Sequence, residues 1–235
     1  MEQRTEAALY EEALQYWPCR DLIARILSLV DNEYLVPRDA RLIDKMCGPG
    51  YLLGQIQKRR PDVVLFGLDN DRRYIEYGSA EYKNVSFIEG DVLTWHPEEL
   101  FDVVLCTGAL HHVIYEEQSV AIANIANSLK PCGLAIISDC YIDDWTSEEE
   151  RKLAALRLGD AYTDFAIRSG ASNDVIDETL EIQRNDVLGK EFKTSVRCRM
   201  PVLQRHFQLV RNDRIWPIEW HRGAFGDYLH VCRKR

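Results

Sequence analysis

The sequence predicts an α/β domain built on a mostly parallel sheet, and three observations carry that prediction. Short apolar runs alternate with helical segments roughly every 20 to 30 residues, the spacing of strands joined by crossover helices. Runs such as DVVLF and GLAIIS are continuously apolar, as in strands covered on both faces. The segment LIDKMCGPGYL, residues 42–52, reads as a strand entering a glycine-rich turn and then a helix.

The elements follow in order. Residues 6–30 repeat apolar positions at helical spacing, and Pro18 divides them into two helices. ARLIDKM is a strand and YLLGQIQKRR a helix; DVVLFGLDN is a strand and DRRYIEYGS a helix. VSFIEGDV and FDVVLCTGA are strands. EQSVAIANIANSLK is a helix closed by Pro131 and Gly133, and GLAIISDCY is a fifth strand. Residues 144–192 are helical and charged, with Thr146 and Glu149 read as a capping box. SVRCRMPVLQRHF is a helix, and FQLVRNDRIW and GDYLHVCRKR are strands. The organisation expected is one domain. A helical cap covers 1–38 and a core 39–141. A helical insertion fills 142–196, and a last helix with two strands fills 197–235.

Composition sets bounds. Hydrophobic residues make up 46% and charged residues 29% of the 235 residues, as in a soluble globular protein. No apolar run reaches the length of a membrane span, and the acidic start MEQRTEAALYEEALQYW lacks the basic, apolar pattern of a signal peptide. A cytoplasmic protein is expected. Seven scattered cysteines without a CxxC pair are expected to be reduced and mostly buried, with no metal site. A formal net charge of -9 disfavours a nucleic-acid partner. The basic clusters KRR, residues 58–60, and RKR at the end read as solvated ends of elements.

In a parallel sheet, ligands bind beyond the C-terminal ends of the strands. Gly48 and Gly50 let backbone approach a ligand closely, and the helix beginning near Tyr51 points its N–H groups there. Asp69 ends the second strand, about 20 residues on, where a carboxylate accepts the hydroxyls of a ribose. The alternative is a helix N-cap, a role that Asn70 or Asp71 can fill. Asp91 in EGDV can accept from an adenine amino group while the Val92 N–H answers a ring nitrogen; a plain turn residue is the other reading.

Together LIDKMCGPGYL, GLDNDRRYIEYG, IEGDV, FDVVLCTGALHHV and LKPCGLAIISD resemble the class I S-adenosylmethionine-dependent methyltransferases, over roughly residues 40 to 140. CGPG with LHHV and LKP-G resembles the branch acting on small molecules. The resemblance implies a Rossmann-like seven-stranded sheet whose last strand is antiparallel. It implies S-adenosyl-L-methionine as cofactor, held by Asp44, Met46, Gly48, Gly50, Asp69, Asn70, Asp91, Val92, Thr107 and Gly108. It implies a small-molecule methyl acceptor. The layout of the helical block is also similar to that of carboxy-S-adenosylmethionine synthases.

The sequence departs from the family's D-x-G-x-G-x-G turn: Met46 replaces the first glycine, and Lys45 stands where an apolar residue is common. These departures motivate an alternative, a family member that binds without turnover. A dinucleotide oxidoreductase is a second alternative, weakened by the missing third glycine of its fingerprint. A base is needed only where the nucleophile must lose a proton. The candidates at the fourth and fifth strand ends are His111, His112, Asp139 and Tyr141. His206, His221 and Tyr228 are more distant candidates. Tyr10 or Tyr16 of a lid can touch the donor, and IWPIEWH can line a substrate pocket.

Overall fold

The computed structural model of the protein describes residues 6–218 and 223–235. Five apolar runs become the parallel strands β1 (Arg41–Lys45), β2 (Val64–Asp69), β3 (Val85–Glu89), β4 (Phe101–Thr107) and β5 (Leu129–Tyr141). Two more strands, β6 (Phe207–Trp216) and β7 (Gly226–Lys234), complete the sheet, with β7 antiparallel to both neighbours. The order is β3-β2-β1-β4-β5-β7-β6. Strand order reverses between β1 and β4, so a crevice opens at their C-terminal ends.

Period-two alternation sorts the side chains into two layers. Leu42, Val103, Leu105, Leu134 and Ile136 join one core, with Leu22 and Ile26 of α2 (Cys19–Val30) and Leu53 and Ile56 of α3 (Tyr51–Arg59). Ile43, Val104, Cys106, Ala135 and Ile137 join the other, with Ile122 and Ile125 of α5 (Gln118–Asn127) and Leu203 of α8 (Val196–His206). The helix α4 (Arg72–Glu81) packs against β2 and β3.

The charged block folds as a hairpin of α6 (Glu148–Arg168) and α7 (Asn173–Val187), and α1 (Glu6–Ala13) packs against α7. At Gly159 the Gln183 side chain of α7 fills the space that a Cβ would occupy. Arg151 ties the end of α7 to α6 by donating to the carbonyls of Asp186 and Val187.

Three local expectations need correction. Ser147, not Thr146, caps α6 by accepting from the Glu150 N–H, and Glu150 instead reaches back to Thr146. Both neighbouring hydroxyls suit a cap, and the helix starts one residue later than the pattern suggests. Arg60 is not a solvated helix end; its guanidinium is buried and donates to the carbonyls of Val30, Val36 and Pro37 while pairing with Asp62. It satisfies chain-end carbonyls that α2 and its following turn leave without partners. All seven cysteines are free, but only Cys106 and Cys232 are fully buried, and Cys132 and Cys198 are exposed.

His230 on β7 is fully buried, and its Nε2 shares a 2.8 Å hydrogen bond with the Tyr141 hydroxyl. Burial, helped by Arg199, pushes its imidazole down to about 4 from the ordinary 6.5. Between those values the unfolded chain takes up a proton that the folded protein refuses. The stability from this group is therefore complete above pH 6.5 and drains away as pH falls toward 4. The loss is roughly 3 kcal/mol at most. Urea unfolding at neutral and acid pH checks it. The pair Tyr141→Phe with His230→Leu should shrink the pH difference by about 2 kcal/mol, and an unchanged difference would refute the assignment.

Candidate active site

A cleft of about 670 Å³ lies over the C-terminal ends of β1, β2, β4 and β5, beneath the α6–α7 hairpin. Its floor is the turn after β1. Cys47 N–H donates to the Leu68 carbonyl at 3.0 Å, and Gly48 N–H to Oδ2 of Asp69 at 2.8 Å, so the turn is tied to the end of β2. Gly48, at φ +54, would present a Cβ to open space, as would Gly108 at φ +61 after β4. Gly50, also left-handed, opens α3. The backbone at Gly48 and Gly108 is thus bare toward a ligand.

Met46 has φ +63, the left-handed region that favours glycine. The residue standing in the missing glycine's place has kept a glycine's backbone. Its side chain packs on the core beside α5 and also lines the cleft. Met46→Gly removes packing but relieves the left-handed strain, whereas Met46→Ala removes packing and keeps the strain. Met46→Gly should therefore be the more stable of the two by about 1 kcal/mol. Denaturant unfolding checks this, and an Ala variant at least as stable as the Gly variant would contradict it. Lys45, the other departure, faces away from the cleft. Its Nζ donates to the Asn124 carbonyl at 3.1 Å and lies 5.3 Å from the Trp95 ring centre.

Asp44 is buried, and its Oδ1 has no partner among the described residues. Burial, with Asp69 nearby, raises its carboxyl to about 8. Thr107 Oγ1 is likewise buried without a partner. Both residues line the cleft. Orphaned polar atoms of this kind call for a ligand group. Asp69 Oδ1 accepts from Asp71 N–H at 2.9 Å, while Asp71 itself caps α4 by accepting from Arg73 N–H. The N-cap therefore falls on Asp71 and leaves Asp69 facing the cleft, with Asn70 beside it. Asp91 is exposed and holds the Leu93 N–H, and the adjoining Val92 is buried at the cleft wall.

His111 and His112 lie in a 3-10 turn, Leu110–His112, after β4. His111 is buried, and its Nδ1 is 2.5 Å from Oδ1 of Asp139. Burial, with His112 beside it, lowers the His111 imidazole below its ordinary range. Burial pushes the Asp139 carboxyl up, but His111, Arg199 and Lys193 outweigh it and hold the carboxyl below the usual range. The pair is then a neutral imidazole donating Nδ1–H to a carboxylate, with Nε2 as the basic nitrogen. His112 is half exposed, its Nδ1 2.8 Å from Oε2 of Glu191.

Tyr141 needs correction as a candidate catalytic residue. It is fully buried on His230 and against Tyr228, and it does not line the cleft. It shares the face of Asp139 but lies one pleat further on, where its ring packs on the β7 side chains of Tyr228 and His230. Tyr228 and His206 also lie outside the cleft lining; Tyr10 lines it and Tyr16 does not. Trp216 backs Tyr162 at 5.2 Å between ring centres, while Trp220 and His221 lie outside the described residues.

Sequence reading missed the far wall. Tyr162 on α6 and Asp227 at the start of β7 line the cleft, with the Tyr162 hydroxyl donating to Asp227 Oδ1 at 2.5 Å. Glu191 and Lys193, from the loop before α8, line it too, and Lys193 Nζ pairs with Asp186 Oδ1 at 2.5 Å. The only local signal was GKEFKT, which reads equally as a solvated loop. Two groups have metal-ligand types within 4.8 Å of one another: His111 with His112 and Glu191, and His111 with Asp139 and Cys140. Within them His111 Nδ1 lies 2.5 Å from Asp139 and His112 Nδ1 2.8 Å from Glu191.

Comparison with known proteins agrees with this geometry. A family profile described as "Methyltransferase domain" matches residues 42–133. The trans-aconitate 2-methyltransferase of Mycobacterium ulcerans is 30% identical over 96 residues, 41% of this chain and 33% of that protein. The uncharacterized methyltransferase YdaC of Bacillus subtilis is 29% identical over 110 residues, 46% of this chain and 60% of that one. The chain thus spans one third to three fifths of the length of these relatives. The TehB-like S-adenosylmethionine-dependent methyltransferase of Corynebacterium glutamicum has the same fold, with a TM-score of 0.59 at 17% identity over 92% of this chain and 94% of that one. So does the magnesium protoporphyrin IX methyltransferase of Synechocystis with bound S-adenosylhomocysteine, at 0.61 and 12% over 100% and 90%. Residues 42–133 thus match a methyltransferase domain, and the seven-stranded sheet around them has the fold of the S-adenosylmethionine-dependent methyltransferases.

Proposed function

We propose that this protein is an S-adenosylmethionine-dependent methyltransferase acting on a small-molecule acceptor in the cytoplasm. The observation that carries the reading is the bare backbone at Gly48 and Gly108 beside the unpartnered Asp44 Oδ1 and Thr107 Oγ1, all at the point where strand order reverses. Residues 1–235 act as one domain in this reading, with 142–196 shaping the acceptor side.

S-adenosylmethionine, when bound, supplies a methyl group already activated on a sulfonium. The residues that suit it divide by strand. Asp44, Met46, Gly48 and Gly50 take the methionine end, and Asp44 supplies a carboxylate for its amino group. Asp69 and Asn70 take the ribose, Asp91 and the Val92 N–H the adenine, and Thr107 and Gly108 the facing wall. The protein's own task is then to align a nucleophile, exclude water and remove a proton where one must leave. His111 Nε2 accepts that proton, with Asp139 fixing the tautomer and His112 at the rim. The α6–α7 hairpin and Trp17, whose indole donates to Thr179 Oγ1 at 2.8 Å, roof the cleft and favour a small acceptor.

The test is transfer of isotopically labelled methyl groups from S-adenosylmethionine to a low-molecular-weight cell extract and, separately, to protein and nucleic acid. Label in a small molecule is expected. Label only in macromolecules would overturn the acceptor class, and binding without any labelled product would assign a non-catalytic role.

A further inference from the structure

The acceptor side of the cleft has an unequal balance of charge. Asp139, Glu178, Asp186, Glu191 and Asp227 line it, and Lys193 is the only lysine or arginine in the lining among the described residues. Lys193 is already held by Asp186. Asp139 faces His111, with Arg199 3.8 Å away, and Glu191 faces His112. Buried Oε2 of Glu191 and Oδ2 of Asp227 both lack a hydrogen-bond partner, but Glu191 Oε2 lies 2.8 Å from the His112 imidazole. Asp227 is 1% exposed, one oxygen accepts from Tyr162, and Oδ2 has neither a hydrogen-bond nor an ion-pair partner among the described residues.

A buried carboxylate oxygen without a donor is costly unless a ligand supplies one. Tyr162 satisfies one oxygen and fixes the orientation of the other. We infer that the acceptor is a small organic amine that enters as a cation, with its ammonium donating to Asp227 Oδ2. Burial raises the Asp227 carboxyl to about 7, and a cation alongside would restore its charge. The same lining opposes di- and tricarboxylates. A polyanion would meet five carboxylates, and among the described residues the lining offers no cation that is not already paired. The inference therefore separates this chain from a trans-aconitate-type specificity, although the matched segment is shared. It rests on the methyltransferase reading of the same cleft and concerns which acceptor is held, leaving open the atom methylated.

The experiment uses the full chain saturated with S-adenosylhomocysteine. That first titration tests the methyltransferase reading by itself: no binding there sinks both claims. Benzylamine, benzyl alcohol and benzoate are then titrated in parallel by calorimetry, with cyclohexylamine, cyclohexanol and cyclohexanecarboxylate as a second matched set. The amines should bind about tenfold or more tightly than their partners, as expected for one charge-assisted hydrogen bond in a buried site. Asp227→Asn should erase that preference while the S-adenosylhomocysteine affinity stays level. Amines binding no better than the matched carboxylates, including no binding by either, would overturn the inference. So would a preference that survives in a folded Asp227→Asn protein. The wild-type comparison decides the matter even if the variant does not fold.

Discussion

Asp69→Ala should weaken S-adenosylhomocysteine binding by about a hundredfold, the loss of two charge-assisted hydrogen bonds in a partly buried site. Two effects combine. The carboxylate that would accept from the ribose is removed. The turn also loses its anchor, because Gly48 N–H donates to Oδ2 of Asp69 and Asp71 N–H to Oδ1. Asp69→Asn separates them, since an amide oxygen can still accept from one N–H while the negative charge is gone. It should fall between alanine and the parent. Calorimetry on the three proteins checks the order. An alanine variant within threefold of the parent would move the ribose contact elsewhere, with Asn70 the first candidate.

His111→Ala should lower kcat by about 10²- to 10⁴-fold, the usual worth of a positioned general base, with S-adenosylhomocysteine affinity nearly unchanged. The pH profile distinguishes a base from a packing residue. The base works only when neutral, so kcat rises with pH through the His111 titration. Burial holds that titration below the ordinary 6.5, so the acid limb should lie below pH 6.5. Asp139→Asn should lower kcat and move the acid limb to lower pH, because the carboxylate no longer fixes the Nδ1–H tautomer or favours the protonated imidazole. Asparagine is the better choice than alanine here: both remove the charge beside the buried Arg199, but the amide keeps the side chain's volume and an acceptor oxygen. An unchanged acid limb in both variants would leave His111 a structural residue.

The parallel sheet was legible because its strands bury both faces and so appear as unbroken apolar runs. The crevice was legible because it follows chain order: successive strand ends each contribute one short motif to its lining. Met46 was legible only as an anomaly, since a sequence shows the missing glycine but not the φ of +63 that replaces it. The acceptor side followed a different logic. Tyr162, Asp186, Lys193 and Asp227 come from a hairpin, a loop and a distant strand, and they converge only once α6 and α7 fold back over the sheet. Nothing in their local spacing carries that convergence. Tyr141 misled for a related reason. It shares a face with Asp139, but the side chains of Tyr228 and His230, distant in sequence, pack onto it and close it off.

The most direct measurement is a calorimetric titration of S-adenosylhomocysteine into the purified chain, with a nicotinamide dinucleotide titrated in parallel. One saturable site for S-adenosylhomocysteine is expected, with no heat from the dinucleotide and with the affinity about a hundredfold weaker in Asp69→Ala. No heat and no melting shift at millimolar S-adenosylhomocysteine, or an equal response to the dinucleotide, would contradict the assignment of this cleft to S-adenosylmethionine.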